Sequence, residues 1–190
     1  MRASLILLPI TRTNKISLLF NFEQLKPMMS KLAFLLLFIC LHSALTSAKY
    51  LSCPTGWVTY KESSYCYRVG NKPTIKWNEA RKACLSMGGD LVKIRSAQEN
   101  KYVALLARTY SSSSIYLWLG LVGDSNNTFT WVDGSALSGQ YSNWVSGEPN
   151  NYKGKAEDCG VMYLSSMKWN DEMCVNAHKI VYVCEKEKLY

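Results

Sequence analysis

Residues 148–171 read EPNNYKGKAEDCGVMYLSSMKWND. This segment offers Glu148, Asn150, Glu157, Asn170 and Asp171, three carboxylates and two amides, all oxygen-bearing side chains. Hard cations are held by such sets, Ca2+ taking about six to eight oxygens from carboxylates, amide carbonyls and backbone. Pro149 sharpens the reading, because an X–Pro bond is the one place where the cis isomer costs only about 0.5–1 kcal/mol. A cis Glu148–Pro149 bond would turn the flanking Glu148 and Asn150 side chains toward one side, within reach of one ion. Alone, EPN is an ordinary turn and WND a chance tripeptide. Together, with Glu157 between them and two cysteines bracketing the set, they predict a calcium cage.

The rest of the chain says where such a cage would operate. Of its 190 residues, 32–41 (LAFLLLFICL) form a ten-residue apolar run, preceded by Lys31 and followed by small residues up to Ala48. That is the layout of a secretory signal peptide, placed at about residues 29–48 with cleavage after Ala48. A membrane span needs about 20 apolar residues, and His42 and Ser43 interrupt this run too early. Residues 1–28 read as a start-site extension, since Met28 and Met29 stand just before the signal. The competing reading, a type II membrane anchor, would leave almost no stalk before Cys53. Residues 49–190 then form one domain, long enough for a real core.

That domain carries 17 Lys and Arg against 13 Asp and Glu, so much of the +8 on the whole chain belongs to the leader. The basic residues are scattered and form no stripe interleaved with aromatics, which argues against a nucleic-acid partner. Of seven cysteines, Cys40 lies in the leader, leaving Cys53, Cys66, Cys84, Cys159, Cys174 and Cys184. An even number in a secreted domain predicts disulfides, though six cysteines admit about 15 pairings and spacing does not choose among them. No C-x-x-C pair is present and the domain holds one histidine, His178, read as a surface residue; a structural zinc site is not expected.

Residues 53–69 predict a hairpin turning at Lys61–Ser64. Thr74 is positioned as the N-cap of a helix over 75–87, with Trp77, Ala80, Cys84 and Met87 inward and Gly88 as the stop. LVKI (91–94) predicts a short strand. Ser96 and Glu99 form a capping box opening a second helix to about Thr109, with Val103, Leu106 and Tyr110 inward, and Ser111–Ser114 as the closing loop. Strands are expected at 115–121, 129–132, 161–164 and 180–185, with a polar, Gly- and Asn-rich stretch from Gly134 to Asp158 that needs an ion and a disulfide to order it. Trp57, Trp118, Trp131 and Trp144 are read as packing residues, and Trp169 as the anchor for the strand carrying Asn170 and Asp171. Two helices followed by antiparallel strands make an α+β domain. Asn126-Asn127-Thr128 is an N-glycosylation acceptor at Asn126.

These pieces resemble the C-type lectin domain family in its long form, over essentially all of residues 53–185. The opening CPTGWVTYKESSYCYR, the helix ending at Cys84, WLGL at 118–121, EPN at 148–150, WND at 169–171 and the closing Cys184-Glu185 carry the likeness. The resemblance implies a fold of two helices packed on antiparallel sheets with a long calcium-stabilised loop region. It also implies three disulfides, Cys53–Cys66, Cys84–Cys184 and Cys159–Cys174. It assigns Glu148, Asn150, Glu157, Asn170 and Asp171 to the principal Ca2+, and the same set without Asp171 to sugar hydroxyls, with Tyr152 as a neighbour for the sugar face. The EPN order is similar to that of members recognising mannose-type glycans. An auxiliary ion would draw on Asp124, Asn127, Asn151 and Asp158. The expectation is a secreted, non-enzymatic, calcium-dependent carbohydrate-binding protein with no catalytic residues and no membrane partner after signal cleavage. Homo-oligomerisation would supply avidity and, without heptads or a collagen-like run, would form through the domain itself. The alternative is a related module binding protein, ice or mineral, with calcium in a structural role.

Overall fold

The computed structural model describes residues 52–110 and 114–188. The leader expected over 1–48 and residues 111–113 of the loop lie outside them. Nine strands and two α-helices follow in the order β1 (Val58–Thr59), β2 (Tyr65–Val69), β3 (Thr74–Lys76), α1 (Trp77–Ser86), β4 (Asp90–Leu91), α2 (Ala97–Tyr110), β5 (Tyr116–Val122), β6 (Thr130–Trp131), β7 (Cys159–Tyr163), β8 (Trp169–Glu172) and β9 (Val175–Glu187).

The main sheet runs β1-β2-β9-β5-β7-β8. Its centre is β9, whose stretch Ile180–Glu185 is buried throughout, as befits a strand covered on both faces. β9 pairs antiparallel with β2, β3 and β4 but parallel with β5, placing Leu117 opposite Val181 and Trp118 opposite Tyr182. The sheet is therefore mixed, not purely antiparallel as expected. The physical reason is the connection: β5 and β9 are separated by the long loop and the β7–β8 hairpin, which leave ample chain for a parallel return.

Both helices lie where the hydrophobic period placed them, with corrections at their ends. Trp77, Ala80 and Cys84 are the buried face of α1, and Gly88, at φ +73°, ends it with its N–H on Leu85 O at 3.0 Å. Thr74 does not cap this helix. Its backbone is taken by β3, the helix starts at Trp77, whose N–H bonds Cys174 O at 3.0 Å, and the Thr74 hydroxyl donates to Glu79 at 2.7 Å. In α2 the Glu99 N–H reaches Ser96 Oγ at 3.1 Å, while the Glu99 carboxylate accepts from the Arg95 N–H at 2.6 Å, one residue earlier than the box predicts. The inward stripe of α2 runs through Asn100, Val103, Ala104 and Ala107. Tyr110, expected inside, is 69% exposed in the last turn, and Leu106 is half-buried. The expected strand at 91–94 is shorter, although Val92 N–H still bonds Val183 O at 2.9 Å.

The three disulfides are Cys53–Cys66, Cys84–Cys184 and Cys159–Cys174, spanning 13, 100 and 15 residues. Closing the longest loop is worth about 4–5 kcal/mol on the chain-entropy model and the 15-residue one about 3. Cys159 and Glu172 are opposite each other on β7 and β8, so the last disulfide clamps the hairpin that carries Asn170 and Asp171. Trp169 fixes that hairpin from inside. It is fully buried, meets Trp131 edge-on at 5.7 Å, and donates its indole N–H to Asn100 Oδ1 at 2.8 Å. The second amide hydrogen bond of Asn100, to Met167 O at 2.9 Å, ties α2 to the turn before β8.

Sequence reading gives no warning of one buried charge cluster. Arg95 donates two hydrogen bonds to Glu185, at 2.6 and 2.9 Å, and one to Glu99 at 3.1 Å, with its guanidinium 3.7 Å from the Tyr65 ring centroid. Burial pushes the Glu185 carboxyl up to about 7 against the pull of Arg95, and the carboxylates hold Arg95 charged. Arg95 and Glu185 lie 90 residues apart in sequence, so no local pattern announces them.

Candidate functional site

The loop leading to EPN is threaded along β8. Trp169 N–H bonds Asn143 O and Val145 N–H bonds Trp169 O, both at 2.8 Å, and Glu148 N–H closes a turn onto Val145 O at 3.0 Å. This delivers Glu148 beside β8, and the Glu148–Pro149 bond is cis, the isomer that an X–Pro bond makes cheap.

Asp171 is the hub. It is fully buried, and its Oδ2 accepts the backbone N–H groups of Asn150 at 2.9 Å and Asn151 at 2.7 Å. Glu157, 8% exposed, accepts the Tyr152 N–H at 2.8 Å, and its own N–H donates to Asn151 Oδ1 at 2.9 Å. Three consecutive backbone amides thus grip two carboxylates, and charge-assisted bonds of this kind are among the stronger ones. Asn170 turns its side-chain amide onto the Asp171 carbonyl. Asn150 is exposed and Asn170 half-buried.

The grip leaves charge uncompensated. Glu148 Oε2 and Asp171 Oδ1 are buried and have no hydrogen-bond partner. Burial pushes the Glu148 carboxyl up to about 7, with Asp171 and Glu157 adding to the shift. Glu157 is pushed up as well, by burial first and by Asp171 after it, against the Tyr152 N–H bond. An unpartnered buried carboxylate oxygen costs more than about 1–3 kcal/mol, and facing acids raise that cost. A hard cation relieves both, so the donor set fits Ca2+. Among the described residues no three His, Cys, Asp or Glu side chains converge closely enough to hold an ion alone; an ion there would need the Asn150 and Asn170 oxygens as well.

The auxiliary residues divide. Asn151 donates from its side chain to Asn127 Oδ1, linking that loop to the principal group, and both residues adopt left-handed φ values of 46° and 57°. Asp124 spends its Oδ1 on the N–H groups of Asn126 and Thr128, both at 2.9 Å, capping its own turn. Asp158 is half-buried and its carbonyl accepts the Gly123 N–H at 2.8 Å. Asn126 is exposed, as is His178. Tyr152 is 56% exposed at the rim, with Lys153 Nζ 5.0 Å from its ring centroid. What sequence reasoning missed here is the backbone cradle; amides of residues 150–152 leave no trace in side-chain identity.

Comparison with known proteins bears on this geometry. A family model described as Lectin C-type domain matches residues 73–186. The Perlucin-like protein of Mytilus galloprovincialis is 36% identical over 137 residues, covering 70% of this chain and 83% of its own length. Among the mammalian relatives that also match, the chain spans 35–52% of their length. The carbohydrate-recognition domain of cow CD23, solved in the presence of a GlcNAc2Man3 oligosaccharide, superposes with a TM-score of 0.62 at 34% identity, covering 73% of this chain and 98% of that one. A calcium-independent type II antifreeze protein shares the fold at a TM-score of 0.60 and 22% identity, over 73% of this chain and 96% of that one. The fold by itself therefore does not choose the ligand.

Proposed function

The chain belongs to the C-type lectin domain family, and from that premise we propose that it is a secreted, calcium-dependent carbohydrate-binding protein recognising mannose-type sugars. The observation that carries this reading is the pair of buried, unpartnered carboxylate oxygens, Glu148 Oε2 and Asp171 Oδ1, set among five oxygen-bearing side chains. Glu148, Asn150, Glu157, Asn170 and Asp171 are the residues that would hold the ion. Bound there, Ca2+ supplies coordination positions flexible enough to accept two neighbouring sugar hydroxyls.

The protein's own groups then select the sugar. Each hydroxyl donates to a carboxylate, Glu148 or Glu157, and accepts from an amide N–H of Asn150 or Asn170, at about 1.5–3 kcal/mol per charge-assisted bond. Acid before amide at 148–150 favours equatorial 3- and 4-hydroxyls, by likeness to family members with EPN. Three disulfides fit an oxidising compartment, and among the described residues no helix is long and apolar enough to cross a membrane. Family membership supports a binding role in preference to an enzymatic one. Such a site is open and weak singly, so several copies acting together would provide avidity.

Retention on mannose–agarose in calcium, with elution by a chelator, is the expected result for the purified chain. Retention indifferent to chelator would rule the reading out. Calcium uptake with no hit on a glycan array would leave the protein-, ice- or mineral-binding alternative.

Acid should release the ion. Calcium needs Glu148 ionised, and in the ion-free fold that carboxyl is pushed up to about 7. Below that pH the ion must displace a proton. One proton per ion costs about tenfold in affinity per pH unit, roughly a hundredfold between pH 7 and 5. The stability of the ion-free fold runs the opposite way: Glu148 favours that fold most below its unfolded value and loses that contribution as pH rises through about 7. Calcium titrations at pH 7.5, 6 and 5 test this, and a flat profile would refute it.

A further inference from the structure

The turn carrying Asn126-Asn127-Thr128 is built by one residue and tied to the site. Asp124 Oδ1 accepts the N–H groups of Asn126 and Thr128, both at 2.9 Å; the Asp124 carbonyl accepts the Asn127 N–H at 3.0 Å, and its own N–H donates to Thr128 O at 3.2 Å. That satisfies the backbone and leaves two side chains over. Asn126 and Thr128 are exposed, and among the described residues neither the Asn126 amide nor the Thr128 hydroxyl forms a hydrogen bond. Asn127 accepts from the side chain of Asn151, the neighbour of Asn150, so the position of the turn is fixed relative to the EPN loop. Beside it lies a groove of about 480 Å³ whose lining includes Asn127, Thr128, Phe129, Leu137, Trp144 and Pro149. Phe129 and Leu137 are 5% and 8% exposed, and the half-buried Trp144 meets Phe129 edge-on at 4.9 Å. One depression is thus walled by the glycan acceptor and by the middle residue of EPN.

We propose that Asn126 carries an N-linked glycan whose first sugars lie over this groove, and that this glycan screens one flank of the sugar site, admitting single sugars and hindering branched ones. The inference rests on the sugar-binding reading above and on the secretory route proposed with it. The attachment takes a lipid-linked pyrophosphate oligosaccharide as donor. The Asn126 amide nitrogen bonds to the anomeric carbon of an N-acetylglucosamine and gives up one proton, while the bond from that carbon to the pyrophosphate oxygen breaks and the lipid pyrophosphate leaves. An exposed Asn-X-Thr turn is the acceptor such a transfer requires, and the product is bulky and stays at the surface. Trp144 and Phe129 give the groove an aromatic lining, a surface of the kind that covers the apolar face of a sugar ring. A single sugar needs only the ion and the side chains around it. A branched glycan also needs room beside them, and on the Pro149 flank an arm would meet the attached glycan. Such a clash discriminates between ligands without adding a contact to the favoured one.

The test uses the full chain secreted from eukaryotic cells, together with Asn126→Gln, Thr128→Ala and Thr128→Ser. Peptide masses before and after an N-glycosidase should show a glycan on Asn126 in the parent and in Thr128→Ser, which keeps the acceptor, and none in the other two. Methyl α-mannoside should compete for mannose–agarose equally well with all four proteins. A branched high-mannose oligosaccharide should compete at roughly three- to tenfold lower concentration with the two unglycosylated variants than with the two glycosylated proteins. An unmodified Asn126 in the parent overturns the inference, as does a branched-sugar advantage that is absent, reversed or shared by Thr128→Ser; each leaves the sugar-binding reading standing. A calcium-dependent dimer that mannose dissolves and Asn126→Gln lacks would make the glycan a ligand between copies, which also overturns the screening role. If none of the four proteins is retained in calcium, it is the sugar-binding reading that fails, and the inference falls with it.

Discussion

Asp171→Asn is expected to lower calcium affinity by at least about a hundredfold and to abolish retention on mannose–agarose, while leaving the fold intact. The side chain is fully buried, with Oδ2 accepting the N–H groups of Asn150 and Asn151 at 2.9 and 2.7 Å, and Oδ1 unpartnered. An amide of the same shape has one oxygen to offer. If that oxygen keeps the two loop amides, the NH2 group takes the place of Oδ1 and points donors where a cation has to sit. If the group flips, two backbone N–H groups lose their acceptor, at about 1–3 kcal/mol each. Either way one negative charge is gone, and about 1.4 kcal/mol is already tenfold in affinity. The ion-free variant should melt no lower than the ion-free parent by more than a few degrees, because Glu148 is freed from a facing carboxylate that helps push it up. Calorimetric calcium titration checks the first claim. An affinity within threefold of the parent would show that Asp171 is a structural acceptor and no ligand.

Some of this was readable in the residues and some was not, for physical reasons. The cis Glu148–Pro149 bond and the gathering of carboxylates around Asp171 follow from a motif whose information is local. The helices were readable from a 3.6-residue period, down to Gly88 as the stop of α1. The disulfide pairing needed the family resemblance, since spacing alone leaves it open. Thr74 misled because a threonine before an apolar run looks the same whether its backbone starts a helix or joins β9. The parallel pairing of β5 with β9 is a property of chain return over more than 50 residues, invisible to any window. Tyr110 was read inward by spacing, but Ala104 and Ala107 carry the inward stripe and the final turn is exposed. The backbone cradle at 150–152 is independent of side-chain type. The acids that gather around Asp171 were therefore readable as a motif, and the backbone amides that hold them were not.

The charge cluster at Arg95 is the other place where one substitution should have a large effect. Glu99 and Glu185 are 3% and 7% exposed, and Arg95 is the cation bonded to both. Arg95→Met keeps much of the volume and removes the charge, leaving two buried carboxylates facing the same space. Removing one partner of such a group costs about 3–5 kcal/mol, because the remaining charge is stranded. A domain holds only about 5–15 kcal/mol in all, so a fall in Tm of roughly 10–15 °C at pH 8 is expected. Tyr67, whose hydroxyl donates to Glu99 at 2.5 Å, offers one donor and cannot replace a guanidinium. The pH dependence identifies the cause. Burial already pushes Glu185 up to about 7 with Arg95 present, and loss of the cation raises it further. A carboxyl raised in the fold stabilises it fully below its unfolded value near about 4.3 and loses that contribution as pH rises through the folded value. The deficit of Arg95→Met should therefore shrink on going from pH 8 to pH 5, as the stranded Glu185 takes up a proton. Arg95→Lys, which restores charge without the planar fork, should recover part of the loss at pH 8. Melting curves of the three proteins at both pH values decide the matter: a deficit under about 3 °C, or one that does not change with pH, would mean that the cluster contributes packing and little electrostatics.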